Sequence, residues 1–463
     1  MPWHEVSPRH WTRSIGENER MIKWIGDRGH IQGQEHWSIT ATGTLAFSCL
    51  PEQRDLVSRL RRAWASFRFA HPSIAATASI GTLDYVVPTS EALEEWNKET
   101  FRVILDPDSN VDDLVANLRP TPYVVGYYFL ESNQMVLHMA HWRADGTGAL
   151  QLLNAFFAAV AADEDHAAIQ WGREITRLTP SIEDVLELPS EPTTEIKAAA
   201  AGCLASFSKV PGSVGLPYYG DITTKPRGTR GIRYSFSDSA NASVLAACAS
   251  KGLRLLSAIH ASLAIVNLEL GASSSNQSIG EQGHYTSTMR FNLRLYLKPP
   301  YNSPQYAAAL YTGGFFSSLD PGASWQEAAA QYEALYANGL SREFLSARRE
   351  YAIKALGMMA QNAASGPIRS EIDISYIDAV ESLVSPAHYG SVGPKGGTLE
   401  LAVEDISIGV ECLTRESYLF CWAFRGKITF HLVYNEAFYS SIFMERALEA
   451  LALNLKAALE IEE

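Results

Sequence analysis

A strand, a turn and a helix are predicted to follow one another around residues 134–160. The run from Gln134 is rich in β-forming residues and ends in His141-Trp142-Arg143-Ala144-Asp145-Gly146, whose Asp-Gly pair is typical of a turn. Apolar residues then recur at the helical spacing of three and four. A histidine at a strand end is held on a rigid element, and the ordinary pKa of histidine lies near neutrality. His141 is therefore a candidate general base.

The chain is long enough to contain an enzyme with a cleft. Its 463 residues exceed what one hydrophobic core usually organises, which predicts two domains of roughly 200 residues each. Hydrophobic residues make up 46% and charged residues 19%, as in globular proteins. The net charge of −13 argues against a nucleic-acid partner, because no basic stripe offsets repulsion from phosphates.

Neither a membrane span nor a targeting signal is predicted. We find no apolar run of about 18 residues, and the N-terminus lacks the basic and apolar regions of a secretion signal. These patterns predict a cytoplasmic protein. The cysteines are scattered and form no Cys-x-x-Cys pair, which predicts thiols rather than a disulfide framework, and no metal site. They are Cys49, Cys203, Cys248, Cys412 and Cys421.

Helical and strand patterns can be placed at several other points. Residues Arg54 to Phe69 predict an amphipathic helix with its arginines on a solvated face. Pro122 to Leu130 and Gln134 to His141 predict a hairpin. Prolines interrupt the pattern from about Asp163 to Arg230, which predicts the crossover between domains. Near the C-terminus, three antiparallel strands are predicted at Ile406–Cys412, Tyr418–Phe424 and Lys427–Tyr434, followed by a helix.

These blocks together resemble one acyltransferase superfamily. His141-x-x-x-Asp145-Gly146 resembles the HxxxDG signature of chloramphenicol acetyltransferase, plant BAHD acyltransferases and peptide-synthetase condensation domains. The run Arg290 to Arg294, with Pro299-Pro300 after it, resembles the arginine strand and double proline of these enzymes. The resemblance extends over most of the chain. Among the branches, the chain is most similar to fungal trichothecene O-acetyltransferases of secondary metabolism.

The resemblance implies an α/β fold of α+β sandwiches. Two chloramphenicol-acetyltransferase-like lobes would surround a central channel. Residues 1–190 would form the N-terminal lobe with the HxxxDG motif, 191–230 the crossover, and 231–463 the C-terminal lobe. Condensation domains usually carry two adjacent histidines, whereas Ala140 precedes His141 here. A free-standing transferase is therefore favoured over an assembly-line module, and we separately expect the protein to be a monomer.

The resemblance also implies roles for individual residues. His141 would take the proton of an acceptor hydroxyl or amine during direct transfer from a thioester. Asp145 would be structural, paired with Arg294, and Gly146 would leave room for the turn. No CoA-binding residue is assigned, although the loop cations Arg227, Arg230 and Lys395 are candidates for a CoA phosphate. The oxyanion stabiliser stays open among Ser287, Thr288 and Thr312.

Three functions remain open at this point. The leading hypothesis is an acyl-CoA-dependent O-acyltransferase, with acetyl-CoA as donor and a hydroxyl of a hydrophobic secondary metabolite as acceptor. The alternative keeps the fold but uses His141 for CoA-independent cyclisation, elimination or condensation of a biosynthetic intermediate. A non-catalytic binding relative is the third. All three require a small-molecule ligand and no metal.

Overall fold

Strands and helices alternate through the first 190 residues of the computed structural model, which describes residues 2–48, 53–163, 169–272, 283–361, 369–392 and 397–461. The elements of this part are β1 (His4–Ser7), β2 (His10–Ser14), α1 (Glu17–Asp27), β3 (Ile39–Phe47), α2 (Gln53–Ala70), β4 (Thr77–Ala78), β5 (Thr82–Val86), α3 (Ser90–Thr100), β6 (Phe101–Ile104), α4 (Val111–Ala116), β7 (Val125–Phe129), β8 (Gln134–Met139), α5 (Gly146–Ala162) and α6 (Ile182–Val185).

The rest of the chain begins with helices and ends with strands and one long helix. Its elements are α7 (Thr194–Ala205), β9 (Thr229–Ser235), α8 (Asp238–Ser250), α9 (Leu255–Ala272), β10 (Tyr285–Asn292), β11 (Thr312–Leu319), α10 (Trp325–Asn338), α11 (Arg342–Ser346), α12 (Arg348–Gln361), β12 (Ile372–Ile377), α13 (Val380–Leu383), β13 (Ala387–Val392), β14 (Gly397–Val410), β15 (Ser417–Phe424), β16 (Lys427–Asn435) and α14 (Ser441–Ala458).

The first of two compact units holds the HxxxDG motif. It comprises Met1–Leu188 together with Asn292–Thr312 and Val380–Val410. Its larger sheet has six described strands in the order β13-β14-β3-β8-β7-β6, and a second sheet has the order β1-β2-β5-β4. Strand β8 pairs antiparallel with both β3 and β7, so the strand that leads to His141 lies inside the sheet rather than at its edge.

The predicted hairpin and helices of this unit are present. β7 and β8 pair antiparallel, and α2 buries the side chains of Leu60, Trp64 and Phe67. The apolar stripe of α5 is buried against β3, β13 and β14. The apolar spacing therefore identified the packed faces correctly, because one stripe of a helix must leave water when it covers a sheet.

The prediction of a solvated arginine face on α2 is wrong for two of its residues. Arg59 is 4% exposed and Arg68 is 6% exposed. Arg59 donates to the carbonyl oxygens of Val160 and Ala161 at the end of α5. The last carbonyls of a helix lack partners within it, and a guanidinium with several donors satisfies two of them at once.

The second unit is built around its own sheet and a buried helix. It comprises Pro189–Phe291, Gly313–Ala379 and Glu411–Glu463. Its described strands form a sheet in the order β12-β15-β16-β9 and a ribbon of β10 and β11. The core packs α8, α9 and α14 against this sheet, and Leu448 and Leu451 of the predicted C-terminal helix, α14, are buried in it.

Helix α9 qualifies the prediction that the chain lacks a long apolar run. Its 18 residues have a mean hydropathy of 1.5, enough by length and composition to cross a membrane. Most of this helix is buried within the second unit, where Ala258, Ile259 and Leu263 have no exposed surface. A mostly apolar helix is also what a protein core requires, and the burial of α9 favours that explanation.

The predicted set of three C-terminal antiparallel strands is wrong in its first member. β15 and β16 pair antiparallel, but the residues from Ile406 belong to β14, which pairs with β3 and β13 in the first unit. Sequence proximity suggested one meander, whereas β14 pairs with a strand more than 350 residues earlier. Each lobe predicted from the sequence, 1–190 and 231–463, is a single stretch of chain, whereas each compact unit of the structure combines three stretches. The division into these two lobes stays a prediction.

Candidate active site

His141 lies in the turn between the end of β8 and the start of α5. Its side chain is half-buried, and Nδ1 lies 3.0 Å from the carbonyl oxygen of Ala144. A carbonyl oxygen only accepts hydrogen bonds, so Nδ1 donates and carries the proton. In the neutral ring Nε2 then carries the lone pair, which is the protonation state that a general base needs.

Asp145 caps the helix that follows this turn. Its backbone is extended, and its side chain accepts a hydrogen bond of 2.8 Å from the backbone N–H of Gly148. The first N–H groups of a helix have no partner within it, and an aspartate at this position satisfies one of them. The same side chain is 3% exposed, so its negative charge is compensated inside the protein.

Arg294 supplies that compensation. Its Nη1 donates to both carboxylate oxygens of Asp145 at 2.8 Å, and its Nη2 lies 3.3 Å from the carbonyl oxygen of Ala307. The backbone N–H of Tyr311 donates to Asp145 Oδ2 at 2.7 Å. Asp145 also donates from its own backbone N–H to the carbonyl of Ala309. The segment Asn292–Thr312 is thereby joined to the turn that carries His141.

Gly146 begins α5, and a close backbone approach lies two residues further along, at Gly148. A Cβ atom there would lie 2.1 Å from the carbonyl oxygen of Ala307 and 3.0 Å from Arg294 Nη2. Only glycine leaves room for a backbone carbonyl at this distance. Sequence reasoning identified Gly146 and missed Gly148, although the Gly-x-Gly spacing at the start of a helix was a visible signal.

Arg143 anchors the middle of the turn and was also missed. It is 3% exposed and donates to the carbonyl oxygens of Ser73 and Pro122 at 2.7 and 2.8 Å. Burial lowers its pKa to about 10, and its guanidinium lies 4.5 Å from the ring centroid of Trp142. The contacts of this side chain therefore indicate that it holds the backbone at Ser73 and Pro122 in place rather than contacting a substrate.

His138, the other histidine of β8, is unsuited to act as a base. It is 2% exposed, and burial lowers its pKa to about 4. Its Nδ1 lies 3.4 Å from the hydroxyl of Thr40 on the neighbouring strand. Its burial and this contact suit a structural role.

The oxyanion candidates differ in their surroundings. Ser287 is fully buried in the second unit, where its hydroxyl lies 2.8 Å from His260 Nε2 and 3.2 Å from Ser317 Oγ. These partners occupy the hydroxyl, which makes Ser287 a poor oxyanion donor. Thr288 also belongs to the second unit, and Thr312 is the candidate in the same unit as His141.

Two further groups of residues are the loop cations that were candidates for a CoA phosphate and a cluster of possible metal ligands. Arg230 is half-exposed and paired with Glu436 at 2.9 Å, and Lys395 lies outside the described residues. Among the described residues, one group of side chains has ligand atoms within 4.8 Å of one another: Asp27, His30 and Glu35. His30 and the carboxylate of Asp27 are partly open to solvent, and nothing further points to a metal there.

Comparison with known proteins comes from sequence and from structure. The chain is 48% identical to acetyltransferase pigO of Monascus ruber over 444 residues, which are 95% of this chain and 94% of that protein. It is 29% identical to O-acetyltransferase pigM of the same fungus, over 100% of this chain and 87% of the relative. No family model matches the chain.

A solved structure with a similar fold is that of the TRI3 trichothecene 15-O-acetyltransferase from Fusarium sporotrichioides. The TM-score is 0.81 at 15% sequence identity, and the alignment covers 98% of this chain and 96% of the other. At this level of identity the likeness concerns the fold. It confirms the mixed α/β class that the sequence predicts.

Proposed function

Since the chain belongs to the fungal acetyltransferase family that includes pigO of Monascus ruber, and is therefore an acyltransferase, we propose that it transfers an acyl group from acyl-CoA to a hydroxyl of a hydrophobic secondary metabolite. Acetyl-CoA is the proposed donor. The names of pigM and of TRI3, both O-acetyltransferases, support transfer to oxygen. A monomeric, cytoplasmic enzyme stays part of the proposal.

The observation that carries this proposal is the hydrogen bond between His141 Nδ1 and the carbonyl oxygen of Ala144. With the proton on Nδ1, the lone pair is on Nε2, which would take the acceptor's proton as the hydroxyl oxygen attacks the thioester carbonyl carbon. The carbon–sulfur bond then breaks, and the imidazolium returns the proton to the leaving sulfur. Acyl-CoA supplies the electrophilic carbonyl and departs as free CoA, so no covalent acyl-enzyme is required.

Asp145 and Arg294 would act through structure rather than by touching substrate. Both side chains are almost fully buried and bonded to each other and to nearby backbone. They would hold the turn so that His141 keeps one orientation. Positioning of this kind matters because a misplacement of about 1 Å can lower a rate by a factor of about 100.

The test is acyl transfer by the wild type, by His141→Ala and by a control, His4→Ala, in which an exposed histidine is removed. Each protein is incubated with a panel of acyl-CoA donors and pooled hydrophobic alcohols, and ester formation and free CoA are followed by mass spectrometry. We expect acceptor-dependent CoA release in the wild type and His4→Ala. In His141→Ala it should fall by at least about 100-fold, with an unchanged melting temperature.

Two results would overturn the proposal. Undiminished transfer by His141→Ala would remove His141 as the base. Conversion of an acceptor without any thioester would instead favour the CoA-independent alternative, in which the same histidine moves a proton within a biosynthetic intermediate.

A further inference from the structure

Trp37 occupies a backbone position that normally favours glycine. The N–H of Ser38 donates to the carbonyl oxygen of Glu35 at 3.1 Å, which closes a four-residue turn just before β3. Trp37 is the third residue of this turn and has a φ of +65°. Glycine is favoured at this position because a Cβ atom makes positive φ costly, and a bulky residue there is strained. Strained residues of this kind cluster at functional sites.

The pairing of β3 with β8 brings Trp37 close to His141. In the antiparallel ladder of β3 and β8, Ile39 pairs with Met139. Trp37 lies two residues before Ile39, and His141 lies two residues after Met139. Trp37 lies in the turn before β3 and His141 in the turn after β8, so both residues lie just beyond the same end of this ladder. The ring centroids are 6.4 Å apart with an interplanar angle of 65°, an edge-to-face contact.

Trp37 is itself supported from its other side. The ring of His36 stacks on it with a centroid distance of 5.1 Å and an interplanar angle of 28°. His36 is 8% exposed, and its backbone N–H donates to the carbonyl oxygen of Gly26 at the end of α1. The tryptophan ring is consequently held between a buried residue and the candidate base.

One hydrogen bond does not determine the plane of an imidazole. The bond from Nδ1 to Ala144 restrains one ring atom of His141. A flat aromatic ring packed against it supplies a second restraint. We propose that Trp37 is a positioning residue for acyl transfer, which holds the His141 ring so that Nε2 is presented to the acceptor hydroxyl. This inference rests on the proposed role of His141.

Three substitutions at Trp37 distinguish the effect of its aromatic ring from the effect of its strained backbone. Trp37→Phe keeps an aromatic ring, Trp37→Leu keeps an apolar side chain at the same positive φ but has no ring, and Trp37→Gly removes the side chain and suits the backbone. Leu and Phe form the matched pair, because both carry the same backbone strain. We expect the unfolding temperature of Trp37→Gly to be no lower than that of Trp37→Leu, since glycine adopts positive φ freely.

The first readout needs no substrate. In protein labelled with ¹⁵N-histidine, the ring nitrogen shifts report the tautomer, and the His141 signals are identified by their loss in His141→Ala. We expect a single Nδ1–H tautomer in the wild type and Trp37→Phe, and a tautomer mixture in Trp37→Leu and Trp37→Gly. Identical spectra in all four proteins would overturn the inference.

The second readout is steady-state kinetics with acetyl-CoA and the acceptor identified in the transfer assay. We expect kcat to fall by about 10-fold to 100-fold in Trp37→Leu and Trp37→Gly, with the KM for acetyl-CoA unchanged and with most activity retained in Trp37→Phe. Equal losses of kcat in Trp37→Phe and Trp37→Leu would overturn the proposed role of Trp37. If His141→Ala retains transfer, the proposed function fails, while the tautomer spectra still decide whether Trp37 orients the ring.

Discussion

Arg294 Nη1 lies 2.8 Å from each carboxylate oxygen of Asp145, although the two residues are 149 positions apart in the chain. Both residues are less than 5% exposed. With the N–H groups of Gly148 and Tyr311, the carboxylate receives hydrogen bonds from three separate residues. This pair therefore stabilises three pieces of chain around the turn that carries His141.

Removing Arg294 should strongly destabilise the protein. Arg294→Ala leaves the buried carboxylate of Asp145 without its cation, and we expect a loss of about 3–5 kcal/mol in the free energy of unfolding. Arg294→Lys retains the charge without the planar group that also reaches Ala307, so its loss should be smaller. Urea titration measures both. The control Lys98→Ala removes an exposed pair with Glu94 and should leave the transition unchanged.

A methyl group added at Gly148 should be tolerated poorly. Gly148→Ala places Cβ 2.1 Å from a backbone carbonyl, so α5 or the segment around Ala307 must move. We expect a loss of about 1–3 kcal/mol in the free energy of unfolding, with reduced activity because His141 lies in the turn that leads into α5. Gly202 in α7 is exposed and has nothing within 4 Å of its added Cβ. Gly202→Ala should stabilise by about 0.5–1 kcal/mol, and equal effects at the two sites would contradict the steric explanation.

Burial of His138 should make the protein less stable as the pH falls. Burial lowers its pKa to about 4 from the usual 6.5. The unfolded chain therefore binds a proton between pH 6.5 and 4 while the native chain does not, and stability decreases on going down through that range. The full effect is about 3 kcal/mol. His138→Gln should show a shallower loss between pH 7 and 5, and an identical loss would contradict this assignment.

Burial of Glu416, in the second unit, should make the protein less stable as the pH rises. Burial raises the pKa of its carboxyl to about 7, against the opposing effect of Arg369 at 2.8 Å. Between pH 4.5 and 7 the native state holds a proton that the unfolded chain has released, so stability decreases as the pH rises through 7. Glu416→Gln resembles the protonated form and should lose less stability between pH 5.5 and 8.5. A steeper loss in the variant would refute the prediction.

Elements with a strong local pattern were predicted well. The apolar spacing from Ala149 to Val160 identified α5, and two β-rich runs identified the hairpin of β7 and β8. The HxxxDG block could be placed at a strand end for the same reason. These patterns can be recognised in the sequence because the spacing at which side chains return to one face of a helix or strand is set by backbone geometry. That geometry does not depend on distant contacts.

Contacts between distant parts of the chain were harder to foresee. The strand from Ile406 was grouped with its sequence neighbours, but β14 pairs with β3. Arg59 has the charge of a surface residue and yet satisfies carbonyls at the end of α5. Nothing local distinguishes these residues from exposed ones, because their environment depends on which element packs beside them.

Trp37 illustrates the same limit inside the candidate site. A tryptophan before a strand has no sequence pattern that marks a positive φ or a histidine partner, and both are visible only in the folded structure. The close approach at Gly148 likewise depends on a carbonyl more than 150 residues away.

Local sequence was enough to establish the α/β class, the strand–turn–helix around His141 and the resemblance to acyltransferases, since short-range periodicity and motif spacing carry that information. The folded chain was needed to reveal which strands join β3, how Arg294 and Tyr311 meet Asp145, and that the ring of Trp37 packs against that of His141. Those relationships are long-range, and they form only when burial and hydrogen bonding compensate the entropy of bringing distant segments together.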